Sequence, residues 1–245
     1  MILQWLIVLL VSVCSLVALK LPNYITPCSR SDPNHNACTL ASARAAVPKF
    51  LKGDRKIGLP SLLPLKYPQS SVLNGNSLKV TLNNLTVYGL DNIDIKELQF
   101  DYEARKVKFK SFNKQLDIKA NYTIDGRILF IPLQGSGPCK FEFINGTYEY
   151  NYEYGIETRN GKKYAKIISA RSTCKYDVEK AIFNLQNLFN GNEMLGEQTN
   201  RLINENWMLL NEELRPSIND LLTGVHEIVT NVFYQNIPLD ELILP

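Results

Sequence analysis

The sequence predicts an α+β domain: a long, highly curved antiparallel β-sheet wrapped around a long C-terminal α-helix, with a short helix near the N-terminal end. Three observations carry this. From Ser77 to about Leu185 apolar residues alternate with polar ones at a period of two, as in half-buried strands. From about Asn192 or Thr199 to Gln235 the apolar positions Ile203, Trp207, Leu210, Leu214, Ile218, Leu221, Val225, Ile228 and Val232 recur every 3.6 residues on average, the period of an amphipathic helix. Such a helix, from Thr199 to Gln235, would reach roughly 55 Å. A compact chain of this size would be only about 45 Å across. A wide apolar face that long needs cover along its whole length, and the long strands are the available cover.

The elements follow in order. Residues 2–19 carry no charge and end in small residues, so residues 1–18 read as a signal peptide cut after Ala18, leaving residues 19–245 as a single domain. An uncleaved anchor is the alternative, since 18 helical residues span roughly 27 Å. Residues 34–52 hold an alanine-rich helix bent or interrupted by Pro48, and the proline-punctuated residues 58–68 read as an extended connector. In the strand region Leu116, Ile118, Ala120, Tyr122 and Ile124 share a face, as do Phe141 and Phe143, then Tyr148, Tyr150, Tyr152 and Tyr154. Asp125-Gly126 and Asn160-Gly161 read as hairpin turns. Changes of parity predict bulges near Asn83-Asn84 and at Asn145-Gly146. Pro216 is expected to bend the C-terminal helix without ending it, because the stripe continues in phase.

Composition narrows the function. The 245 residues are 45% hydrophobic, with 27 basic and 24 acidic side chains, a near-balance that argues against a nucleic-acid binder. Cys28, Cys38, Cys139 and Cys174 remain once Cys14 leaves with the leader, and four cysteines in an exported chain allow three disulfide pairings. A local bridge Cys28–Cys38 with a strand-to-strand bridge Cys139–Cys174 is favoured; a metal site lacks C-x-x-C spacing and has only His35 nearby. Asn84, Asn121 and Asn145 head N-x-S/T sequons and are candidate glycan acceptors. His226-Glu227 starts like a zincin motif, but Thr230 stands where the second histidine would be. Gly135-Ser136-Gly137 lacks nucleophile-elbow spacing. No enzyme, cofactor or metal is therefore expected. Lys106, Lys108 and Lys110 read as a solvated face, with membrane docking as the sharper alternative.

A sheet wrapped on a helix leaves a lengthwise apolar seam, either solid core or a tunnel for an elongated apolar ligand. The candidate lining is Leu116, Ile118, Phe141, Phe143 and Tyr152 from strands, with Trp207, Leu210, Leu214, Ile218 and Leu221 from the helix. The partner expected is a small hydrophobic ligand bound by a monomer, with transient membrane or receptor contact as a further option. The competing reading is an extracellular signalling protein whose seam is filled.

Several stretches are similar to the insect takeout and juvenile hormone binding protein (JHBP) family. They are Tyr24-Ile25-Thr26-Pro27-Cys28-Ser29-Arg30-Ser31-Asp32-Pro33-Asn34 with Cys38, Asn187-Leu188-Phe189-Asn190-Gly191-Asn192, Leu202-Ile203-Asn204-Glu205-Asn206-Trp207, Glu213-Leu214-Arg215-Pro216 and Ile237-Pro238-Leu239-Asp240-Glu241-Leu242. The resemblance implies secretion and a super-roll, TULIP-like fold. It also implies a hydrophobic ligand, such as juvenile hormone or another lipid, in an internal pocket or tunnel. It matches an early disulfide to Cys28 and Cys38, and an inter-strand one to Cys139 and Cys174.

Overall fold

The computed structural model describes residues 19–68, 70–128 and 131–245; the expected leader, residues 1–18, lies outside the described residues. Alternation of inward apolar and outward polar residues produces two strands of unusual length. In chain order the elements are β1 (Cys28–Ser29), α1 (His35–Phe50), β2 (Leu65–Tyr67), β3 (Ser71–Asn74), β4 (Leu78–Tyr88), β5 (Ile93–Asp101), β6 (Lys106–Ile128), β7 (Ile131–Arg159), β8 (Lys162–Ile167), β9 (Thr173–Leu185), α2 (Glu193–Glu205), α3 (Trp207–Asn236), α4 (Leu239–Leu242) and β10 (Ile243–Leu244). β6 and β7 pair antiparallel from Lys106↔Glu153 to Ile128↔Ile131. β4 and β5 flank β6 in succession, β9 and β8 flank β7, and β2 and β3 pair with β4. The β6–β7 ribbon would run roughly 75 Å if straight, against about 45 Å for α3, so it curls around the helix. β1 and β10 pair in parallel and tie the two ends of the described chain together.

Of the two expected bulges the one near Asn83-Asn84 is present, whereas at Asn145-Gly146 β7 keeps its register with both β6 and β9, and only the facing of the side chains changes. Inward residues change parity on β6 between Asn113 and Leu116, on β7 between Phe143 and Gly146, and on β9 between Val178 and Ala181. The residues at the change, Lys114, Asn145 and Glu179, lie at one level of the ladder. Asn145 adopts φ 50°, a left-handed conformation that asparagine tolerates, and donates its amide to Glu179 at 2.7 Å. A transverse crease results, and the core divides into two clusters just beyond it, between Tyr148 and Tyr150 on β7 and between Tyr176 and Cys174 on β9. On β4, Asn84 (φ 55°) forms a separate bulge, with the register shifting between Asn83 and Thr86.

Three further expectations are corrected. Asp125-Gly126 is not a turn: both residues lie inside β6, where a Cβ on Gly126 would stand 2.3 Å from the Ser77 carbonyl oxygen. The glycine serves close approach of β4. The C-terminal helix is broken at Asn206 (φ −117°, ψ 29°), while α3 runs on through Pro216. The Asn206 side chain donates to the Leu202 carbonyl at 2.9 Å, the kind of local bond by which asparagine competes with helix. Finally, Cys28–Cys38 is a disulfide with a Cα separation of 6.0 Å, but Cys139 and Cys174 are free and buried. They sit on neighbouring strands, yet Cys139 faces Leu185 and Cys174 faces Tyr150. That register holds them roughly 36 Å apart along the strands, far beyond disulfide reach.

The outer edge of β9 pairs with no strand among the described residues. Side chains of the helices take the place of one. Asn200 accepts from the Leu185 N–H (2.9 Å) and donates to the Leu185 carbonyl (2.8 Å); Asn204 does the same for Phe183 at 2.7 and 2.8 Å. Four helical residues rise about 6 Å and two strand residues about 6.6 Å, so the two repeats match. Further along, Thr223 accepts from the Cys174 N–H and Arg215 donates to the Tyr176 carbonyl.

Asn204→Ala strips both partners from Phe183 and is expected to cost about 1–3 kcal/mol in urea unfolding, with Asn204→Asp intermediate; an unchanged midpoint would mean water seals this edge. Burial pushes the Cys139 and Cys174 thiols up to about 12. In protein starting at residue 19, both are therefore expected to resist a thiol reagent when native and to react once denatured.

Candidate ligand cavity

The C-terminal part of α3 turns Val225, Val229 and Phe233 towards the upper ends of β6 and β7, which present Val107, Phe109, Tyr150, Tyr152 and Tyr154. β5 contributes Leu98 and Phe100, and α1 lies across the top with Ala46 and Phe50. These groups enclose a cavity of about 410 Å³. α1 is held there by the Cys28–Cys38 bridge and by His35. The His35 Nδ1 lies 2.7 Å from the Ser29 carbonyl and its Nε2 2.5 Å from the Tyr102 hydroxyl. Since a carbonyl only accepts, Nδ1–H donates to it and Nε2 accepts from Tyr102. Arg44 adds a bond from Nε to the Ile95 carbonyl at 2.8 Å.

The few polar groups here are neutral. The Tyr152 and Tyr234 hydroxyls bond each other at 2.8 Å, and burial pushes both phenols well above their usual range. Tyr150 stacks on Tyr152 at 4.9 Å, and its hydroxyl has no hydrogen-bond partner in the protein. His226 points its ring at Tyr150 and Phe109, with Nδ1–H donating to the Leu222 carbonyl at 2.8 Å. Its accessible surface faces the cavity rather than bulk water, and burial depresses its pKa below the ordinary 6.5.

The residues expected to line a seam are split by the structure. Leu116, Ile118, Phe141, Phe143, Leu210, Leu214, Ile218 and Leu221 all meet, but around a second, smaller cavity of about 100 Å³ that Tyr148 and Tyr176 border. Tyr152 lines the larger cavity. Trp207 borders neither and packs against the core around the smaller one. The expected tunnel is thus two chambers. What the sequence reading missed is the α1 and β5 walls and the end of α3. Val225 of the helical stripe and the tyrosine run are the signals that point there, while Val232 packs instead against Ile57 and Ile237. Of the sequons, Asn84 and Asn121 are exposed, whereas the Asn145 amide is half-buried against Glu179. Lys106 and Lys108 pair with Glu153 (3.5 Å) and Glu97 (3.2 Å) on the outer face. No group of three potential metal ligands occurs among the described residues. No helix among them is long and apolar enough to cross a membrane.

A curled antiparallel sheet holding a helix in its concave face, with apolar cavities between the two, defines a class of helix-filled rolls. The chain belongs to the haemolymph juvenile hormone binding protein family, whose model matches residues 6–244. It is similar to the circadian clock-controlled protein daywake of Drosophila melanogaster, at 24% identity over 227 residues covering 88% of this chain and 86% of that one. A candidate beta-carotene-binding protein of Schistocerca gregaria is 25% identical over 142 residues, 57% of each chain. Among solved structures, takeout 1 of Epiphyas postvittana superposes with a TM-score of 0.76 at 24% identity, over 90% of this chain and all of that one.

His226 generates a pH prediction. Its folded pKa is depressed, so folding favours the neutral ring; that stability is complete above pH 6.5 and is lost as pH falls below it. The thermal midpoint is expected to drop between pH 7 and pH 5, and to drop less in His226→Gln; equal slopes would exclude His226 as the cause.

Proposed function

We propose that this protein is a secreted, monomeric carrier that holds an elongated hydrophobic ligand, such as a juvenile hormone-like terpenoid, a fatty acid or another lipid, without chemistry or cofactor. The observation that carries this reading is the cavity of about 410 Å³, walled by aliphatic and aromatic side chains and roofed by a disulfide-anchored helix. Affinity comes from desolvation: each ligand CH₂ removed from water contributes about 0.8 kcal/mol. His226 and the hydrogen-bonded Tyr152–Tyr234 hydroxyl pair are the neutral polar groups of the lining that orient the polar end of the ligand. Membership of the family and the Schistocerca relative support a lipophilic cargo. The apolar, uncharged residues 2–19 and the early disulfide support export. An interior containing two chambers favours a carrier over a receptor-acting protein with a filled seam.

Protein purified from its native fluid is expected to release a stoichiometric lipid on organic extraction, identified by mass spectrometry, and to bind a fluorescent apolar probe once stripped. Val229→Phe fills part of the cavity. It should raise the melting temperature of the stripped protein while weakening probe binding at least tenfold. Unaltered probe affinity would place the ligand elsewhere.

A further inference from the structure

We propose that Tyr148, Tyr176 and Leu222 form a septum that confines the ligand to the larger cavity and so sets an upper limit on its length. This rests on the carrier reading, and it names a property of the cargo which that reading leaves open: a ligand short or compact enough for one blind chamber.

The boundary between the chambers falls between neighbouring inward side chains on each element. On β7, Tyr150 lines the larger cavity and Tyr148 the smaller; on α3, His226 lines the larger and Leu222, one turn earlier, the smaller. Leu222 packs against the core clusters on both sides. The Tyr148 ring folds back along its own strand over Gly146, so close that a Cβ there would meet its hydroxyl at 2.6 Å. Gly146 belongs to the crease, and its missing side chain is what lets the ring lie across it. On the other side Tyr148 stacks on Tyr176, with centroids 6.5 Å apart and planes 20° apart. Tyr176 in turn is fastened to the helix. Its hydroxyl donates to the Asn211 amide oxygen, Arg215 donates to its carbonyl at 3.0 Å, and the guanidinium sits 5.3 Å from its ring centroid. The wall therefore reaches from sheet to helix, with both ends anchored. Asn211 is itself buried, so parting Tyr176 from it would leave polar groups unpaired.

The test measures displacement of N-phenyl-1-naphthylamine by saturated fatty acids of increasing length, for the wild type, Leu222→Ala, Tyr148→Ala and Tyr148→Phe. In the wild type affinity should climb about fourfold per added CH₂, then stop climbing once the chamber is full. Leu222→Ala and Tyr148→Ala should extend the climb to longer acids, with at least a tenfold gain for the longest and none for short ones. Tyr148→Phe keeps the ring and should keep the limit. A second arm needs no folded variant. Trp207, the only tryptophan after residue 18, lies one turn from Leu210, which lines the smaller cavity. An acid brominated at its terminal carbon should leave Trp207 emission of the wild type unchanged. Quenching in the wild type, or an identical length limit in the folded alanine variants, overturns the septum while leaving the carrier reading intact. Failure of the probe and of every acid to bind the wild type overturns both.

Discussion

A sheet that curls without closing must dispose of two edges, and here one of them is satisfied by side chains. Asn200 and Asn204 each offer an acceptor and a donor to a single residue of β9, so two amides stand in for a partner strand. The substitution works because four residues of helix and two of strand have nearly the same length. It commits α2 to one position along β9, and α3 follows with Thr223 and Arg215 bonded to the same strand. The apolar stripe of the helix is thereby turned into the concave face. Edge protection and core formation are two consequences of one docking, and the roll cannot slide relative to its helix without leaving backbone groups bare.

The crease is the second consequence of strand chemistry that shapes the interior. At one level of three adjacent strands, with their register unbroken, the side chains that face inward change parity. On one side of the change the inward residues are mainly Phe and aliphatics, which pack densely around a small void. On the other they are tyrosines: Tyr148 and Tyr176 still border the small void, and beyond them Tyr150, Tyr152 and Tyr154 pair with one another and with α3 around a larger space. The space is kept open by the ends of the chain. α1 bridges β5 and α3 under the constraint of its disulfide and His35, and the β1–β10 pairing holds the C-terminus beside it.

Neutrality suits that chamber to apolar cargo. Burial keeps the tyrosine protons on and the His226 proton off, so no unpaired charge has to be desolvated inside. The charged groups lie on the outer face, as with Lys106 and Glu153.

Much of the architecture was legible because it depends on local periodicity. The alternation of Leu116–Ile124 and Tyr148–Tyr154, the stripe from Ile203 to Val232 and the parity changes at Asn84 and Asn145 each record which way a side chain must face, and burial enforces that. Gly126 shows the limit: an Asp-Gly pair carries a turn signal, but the glycine is needed by a strand from elsewhere in the chain. Asn206 shows it again, since the in-phase stripe crosses the break without a trace. The pairing of Cys139 with Cys174 depended on register, a long-range quantity, and register separates them. The candidate lining came from the right face of the right elements, and eight of its ten members do meet, yet around the smaller void. Periodicity determines the facing of a residue and is blind to how far opposing surfaces stand apart. That distance is decided only when α1, the crease and the tail of α3 pack together, which is why the sequence determined the roll and the tertiary structure alone decided where it is hollow.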